Sequence, residues 1–388
     1  MFRLRGVFLL AVFMLLMSSW PEGTLYARQR PEAGPDVRLA DHRATKETRS
    51  LYRSLLEVAG KGIYFGQQDA TMYGIGWKGD EDRSDIKSVT GVHPALYGWD
   101  IQHVIESAAN KNDYKPSDHL RKYIKEAYDR AGINTISWHA HNFVTGNNFY
   151  DTTVCVAAIL PGGIKHDEYK RALNEVARFM KSLKGSDGKS VPVIFRPFHE
   201  HTGSWFWWGR SHCSTAEYIA LWRFTVSYLR DSSNVHNLIY AYSPDRIGGN
   251  MDIYLERYPG DDYVDVLGFD NYWELKDMTD SVNTALAMKS LRLICDYARS
   301  RNKVAALTET GQEKLTDPAW FSSLLARIKD EPGAGYISYM MVWRNAHTGH
   351  FYAPYSGHAS AADFLNFFQD PLIRFGNKVE GIYKRKIW

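Results

Sequence analysis

Between positions 196 and 208 the chain sets Arg196, His199, Glu200 and His201 immediately ahead of Trp205, Trp207 and Trp208. A carboxyl group beside imidazoles, a guanidinium and flat aromatic rings is a set that can bind and cut a sugar polymer. The carboxyl can pass a proton to a glycosidic oxygen, and the rings can pack on the apolar faces of pyranoses. Three tryptophans within four positions are hard to bury on one side of a loop. At least two of Trp205, Trp207, Trp208, Tyr272, Trp273 and Trp343 are therefore expected to line a cleft. A second acid, Glu309, stands in Ala305-Ala-Leu-Thr-Glu-Thr-Gly311. Cutting a glycosidic bond with retention takes two carboxyl groups roughly 5–5.5 Å apart, one protonated and one ionised. Glu200 and Glu309 are the candidate pair. The bland alternative for each is an ion pair with a nearby Arg or Lys.

These groups are distant in sequence, so a scaffold must gather them. Residues 191–195 form an apolar, β-branched run that reads as a buried strand ending at the first cluster. Similar runs occur at 62–65, 95–99, 133–138, 238–242, 264–269, 304–307 and 336–342. Helical spacing appears at 45–59, 117–131, 165–183, 215–229, 281–299 and 318–329. Eight strand–helix units of about 40 residues predict an α/β fold, a single (β/α)8 TIM barrel over residues 45–388. That fold keeps its chemistry at the carboxyl ends of the strands, and strands four and seven then present Glu200 and Glu309 to each other across the barrel. Doubly wound sheets alternate in the same way, but no Gly-rich phosphate loop follows the first run. The longest insertion, 142–163, follows strand three and is expected to shape the cleft.

Polar residues at the other strand ends complete the candidate site: Gln67, Gln68 and Asp69, then Asp100, His139, His141, Asp245, Arg246, Asp270, Tyr272, Trp343 and Arg344. His139 and His141 could hold a metal only with further ligands at later strand ends, and strands five and six supply no histidine there. No metal and no organic cofactor are expected. A hydrogen bond to a sugar hydroxyl and a structural role both stay open for these histidines. Arg196, just ahead of the glutamate, suits holding a carboxylate. Arg344 could hold either a carboxylate or substrate.

Arg3 and Arg5 precede an apolar run at 7–17, and Ala27 closes a segment where cleavage could occur. Residues 1–27 therefore read as an export signal and 28–44 as a flexible lead-in, with no membrane span in the mature chain. The expected location is the periplasm or the medium. Cys155, Cys213 and Cys295 could then include a disulfide, with Cys155 and Cys213 the candidate pair and the connectivity open. A net charge of +3 carries no nucleic-acid footprint, and a monomer is expected. Aromatic residues make up 14% of the chain, an excess that sugar binding or ordinary core packing would explain.

The sequence resembles glycoside hydrolase family 26 at Phe195-Arg-Pro-Phe-His-Glu200, Ser204-Trp-Phe-Trp-Trp208 and Leu307-Thr-Glu-Thr-Gly311. Ile136-Ser-Trp-His139, Gly268-Phe-Asp-Asn-Tyr272 and Met341-Val-Trp-Arg344 support it, so the likeness runs from the third strand to the last. The resemblance implies a retaining enzyme with Glu200 as acid/base and Glu309 as nucleophile. It implies that His199 bonds and orients the nucleophile, that His139 and Trp205 contact the sugar, that Trp343 is its stacking floor, and that Tyr272 sits by the nucleophile. Most of the family cleaves β-1,4-mannan, galactomannan or glucomannan, and the bacterial β-mannanases of the Bacteroides type are the nearest branch. Mixed-linkage β-glucan, β-1,3-xylan and non-catalytic glycan binding are the alternatives.

Overall fold

The computed structural model describes residues 38–109 and 116–384. Eight parallel strands form the centre: β1 (Ile63–Gln68), β2 (Leu96–Asp100), β3 (Ile133–Trp138), β4 (Val193–Pro197), β5 (Leu238–Tyr242), β6 (Val266–Asn271), β7 (Val304–Thr310) and β8 (Tyr339–Val342). Each pairs with the next, and β8 returns to β1 with Tyr64 opposite Tyr339 and Gln67 opposite Val342, closing a barrel. A two-residue strand, Ile373–Arg374, adds to the start of β1. The strands are buried almost throughout, because helices cover the outer wall and side chains fill the inside.

All eight expected strands are present, but several run further than their apolar segments. β1 extends through Gln67 and Gln68, β4 through Arg196, β6 through Asp270 and β7 through Glu309. Hydrophobicity stops where inward side chains begin to face the site, while the backbone ladder continues. The eighth strand starts later than expected, because Ala334–Tyr336 is a 3-10 turn.

β7 carries a bulge. Phe269 pairs with Leu307 and Asp270 with Glu309, so Thr308 has no opposite number on β6. Against β8, the step from Met340 to Val342 is matched by the step from Leu307 to Thr310, again one residue longer on β7. The Thr308 hydroxyl fills the gap, accepting from Phe269 N at 2.9 Å and donating to Asp270 Oδ1 at 2.6 Å. Bulges of this kind re-aim a side chain beside an active site.

Two expectations change. The lead-in is docked from its described part onward: Ala40 N donates to Asp265 Oδ1 at 2.6 Å, and buried Asp41 pairs with His236 at 2.7 Å. Residues 1–27, with the proposed export signal, and 28–37 lie outside the described residues. The three cysteines are free and buried, so Cys155 and Cys213 are not joined. Cys213 Sγ turns to the Trp208 carbonyl at 3.5 Å, and Cys295 Sγ to that of Ala334 at 3.7 Å.

Candidate active site

The backbone after β4 makes a strained turn. Phe198 and Glu200 both sit in the left-handed region, at φ 50° and 54°. For residues with a Cβ this costs on the order of 1–3 kcal/mol each and persists only where the surroundings over-determine it. They do so here. Tyr218 donates to Phe198 O at 2.9 Å, Trp208 Nε1 to His199 O at 2.7 Å, and Glu200 N to Ser243 O at 2.8 Å. The Trp205 indole then folds back over Gly203, where an added Cβ would lie 2.2 Å from the ring, and donates to Glu200 Oε2 at 2.7 Å.

The six candidate aromatics divide by burial. Trp207 and Trp208 are fully buried, with Trp207 Nε1 on the carbonyl of Ala140 at 2.8 Å. A loop can bury two of three neighbouring rings when each indole N–H finds a carbonyl. Trp205, Tyr272 and Trp343 stay half-buried at the strand ends. Trp273 is 54% exposed, with the Lys276 ammonium 3.2 Å from its ring centre.

Glu309, aimed inward by the Thr308 bulge, is buried. Its Oε1 accepts from Arg196 and its Oε2 from the Tyr272 hydroxyl at 2.9 Å. β4 and β7 stand three places apart in the ring, not diametrically opposed. Arg196 spans the interval, its Nη1 also donating to Asp270 Oδ2 at 2.8 Å and to Ser243 Oγ at 3.1 Å. The role expected of His199 therefore falls to Arg196 and Tyr272. The His199 ring faces His139 instead, Nε2 to Nε2 at 3.1 Å, and its Nδ1 is buried without a partner. A planar guanidinium reaches two carboxylates at once, where a neutral imidazole has only one N–H to give.

The electrostatics separate the two glutamates. Desolvation, and after it the charge of Glu309, pushes the Glu200 carboxyl well above the ordinary carboxylate range, while the Trp205 bond opposes the rise. Arg196 is held firmly as a cation: burial works against its charge, but Asp270 and Glu309 outweigh it. Burial, and then Arg196, hold His199 well below the usual imidazole range, so it is neutral.

His139 Nδ1 pairs with Asp100 Oδ2 at 2.7 Å, and its ring lies 5.9 Å from that of Trp343. His141 pairs with Glu106 at 2.8 Å, so the two histidines go to separate carboxylates. Among the described residues no group of three or more His, Cys, Asp or Glu side chains could hold a metal ion. On the far side of β8, Arg344 reaches Tyr73 and the charge of Asp69. The Asp69 carboxyl is raised to about 6 by burial.

Tyr150 and Tyr352 reach the site unforeseen. Tyr150, on the 142–163 insertion, is 61% exposed, and its phenol feels the charges of Glu200, Arg344 and Glu309. Tyr352 packs 5.7 Å from Tyr272 and rests on Gly311, whose φ of 145° and closeness (2.6 Å from an added Cβ to the ring) leave no room for a side chain. Both come from loops rather than strand ends, where no spacing rule marks them.

The Glycosyl hydrolase family 26 sequence model matches residues 40–347. The chain belongs to that family. Its relatives include a protein named mannan endo-1,4-β-mannosidase from Bifidobacterium adolescentis, 38% identical over 359 residues that make up 86% of this chain and 35% of that one. The chain thus spans about a third of that relative's length. Among solved family 26 structures, a β-mannanase from Bacteroides ovatus superposes with a TM-score of 0.81 at 40% identity, covering 88% of this chain and 98% of the other. A modular endo-β-1,4-mannanase from Cellulomonas fimi gives 0.84 at 39% identity, covering 91% and 80%.

Proposed function

We propose that this family 26 protein is a mannan endo-1,4-β-mannosidase that cleaves mannan, galactomannan or glucomannan with retention at the anomeric carbon. The observation that carries the chemistry is the contrast between the two glutamates: Glu200 favours its proton, while Glu309 accepts from Arg196 and Tyr272. Matched carboxyl groups in opposed environments are the mark of an acid and a nucleophile. The mannan assignment rests on the activity named for the relatives.

In the first step a Glu309 carboxylate oxygen bonds to the anomeric carbon as the glycosidic C–O bond breaks, and the Glu200 proton passes to the leaving oxygen. Esterified Glu309 no longer carries the charge that raises the Glu200 carboxyl, so Glu200 becomes a better acid and stays ionised. It then takes a proton from water, the water oxygen bonds to the anomeric carbon, and the bond to Glu309 breaks. Tyr272 and Arg196 hold Glu309 in line throughout. Trp205 and Trp343 offer ring faces to the sugar, and His139 and Arg344 offer hydrogen bonds. Export, inferred from residues 1–27, fits a polymer too large to enter a cell.

The test is reducing-end release from mannan, mixed-linkage β-glucan and β-1,3-xylan, with Glu309→Ala as control and the first-formed anomer read by NMR. Mannan cleavage with β product and a ladder of sizes supports the reading. An α first product overturns retention, early release of one short product overturns endo action, and turnover of another glycan alone overturns the substrate.

A further inference from the structure

Arg257, two residues beyond the helix Met251–Leu255, is a buried cation with no carboxylate partner among the described residues. Its neighbour Glu256 pairs with Arg210 instead, at 2.8 Å. The Nη groups give their N–H bonds to backbone carbonyls, Nη1 to Trp208 O at 3.3 Å, and Nη2 to Arg210 O at 3.1 Å and Cys213 O at 2.5 Å, while Nε is buried without a partner. Nη1 also lies 3.6 Å from Cys213 Sγ, and the cation stands 5.3 Å over the Tyr218 ring. Burying a charge without an anion is costly, and an aliphatic residue would satisfy none of these carbonyls. The only benefit visible is the shape of the segment held.

That segment is the loop that carries Trp205. Arg210 N closes on Gly203 O at 2.8 Å, Gly209 N on Phe206 O at 2.8 Å, and His212 Nε2 meets Ser204 O at 2.8 Å. Trp208 pins the His199 carbonyl, and Tyr218, beneath the guanidinium, pins that of Phe198. The loop meets the proton donor through Trp205 Nε1 on Glu200 Oε2 at 2.7 Å. We propose that Arg257 is a positioning residue for the proton donor: by holding the Trp208, Arg210 and Cys213 carbonyls it keeps the Trp205 indole N–H on Glu200. This rests on the reading of Glu200 as acid/base.

The experiment compares the full chain with Arg257→Lys, Trp205→Phe and both together, reading kcat, KM and the pH profile on a manno-oligosaccharide well below the melting temperature. A lysine keeps the charge but sets its three donors on one nitrogen, without the two-nitrogen fork that spans these carbonyls. Displacement of the indole should lower kcat by about 10- to 100-fold, and KM should rise as well because the same ring packs on the sugar. It should also move the alkaline limb of the profile to higher pH, since the Trp205 bond holds the Glu200 carboxyl down. In the Trp205→Phe background, Arg257→Lys should add no further shift. A lowered melting temperature with kcat and the limb unmoved, or shifts that add in the double variant, overturns the assignment. If the lysine variant does not fold, Arg257→Gln, which keeps two N–H donors, is read by the same criteria. Wild-type turnover by Glu200→Ala would instead sink the acid assignment itself.

Discussion

His139 and His199 meet through their Nε2 atoms at 3.1 Å, and that contact orders the protons across the floor of the site. Asp100 accepts at His139 Nδ1, which must therefore carry a hydrogen. The buried Nδ1 of His199 has no partner, so the hydrogen of that ring sits on Nε2 and is given to His139 Nε2, and the Nδ1 lone pair is left bare. Asp100 holds the His139 tautomer that leaves its Nε2 free to accept. Asp100→Ala should lower kcat/KM about 10- to 100-fold, the effect of losing a hydrogen bond to a charged group worth roughly 1.5–3 kcal/mol. Imidazole 15N shifts that still report the same two tautomers in the variant would refute this ordering.

Replacing the nucleophile separates chemistry from binding. Glu309→Ala should lose more than roughly 10⁴-fold in kcat, while manno-oligosaccharides still bind when followed by calorimetry. Turnover comparable to the parent protein would remove Glu309 from the mechanism.

The pH profile follows from the environment of Glu200. The acid works while protonated, so a raised pKa moves the alkaline limb of kcat/KM upward, well above the usual range of a glutamate near 4.5. Removing the Glu309 charge removes one cause of the rise. The Glu200 proton, followed by carboxyl infrared difference spectroscopy in Glu309→Gln, should come off at lower pH than in the parent. An unchanged titration would show that the Glu309 charge is not a cause of the rise.

Arg196 bridges two buried carboxylates, and each loses its cation if the bridge goes. Arg196→Ala should cost about 3–5 kcal/mol in urea unfolding, since one partner's removal leaves uncompensated buried charge. Arg196→Ala,Asp270→Asn should recover part of that loss. A double variant no more stable than the single one would argue against the pair as the source.

Trp208 and Trp343, both candidates for the cleft in the sequence, should behave differently. Trp208→Ala should destabilise by about 3–5 kcal/mol, because the ring is fully buried. Trp343→Ala should leave the melting temperature nearly unchanged and weaken substrate about tenfold or less, the value of one aromatic contact. Equal effects on stability would mean that Trp343 is core and not cleft.

Much of this was readable before any coordinates. Parallel barrel strands are buried on both faces, so each appears as an apolar run with a polar cluster behind it, and Glu200 and Glu309 stand out by position. What escaped depends on approach in space. The left-handed turn at Phe198 and Glu200 carries no glycine to announce it, being enforced by Tyr218, Trp208 and Ser243. Trp207 and Trp208 look like a binding platform until their N–H groups are found on carbonyls. Arg196 lies four residues ahead of Glu200 yet serves Glu309, a partner 113 residues away.

The extra residue in β7 means that the aim of Glu309 depends on how the ladder absorbs that residue as well as on an identity. Side chains alternate along a strand with a period of two, so in a β7 of the same length without the bulge Thr308 would stand opposite Asp270 and the following carboxyl would turn toward the helical wall. Every acid, arginine and aromatic of the site would still be present in such a chain. Deleting Thr308 would instead leave the carboxyl opposite Asp270 in a regular ladder, so losing the bulge and losing the residue have opposite effects on its aim.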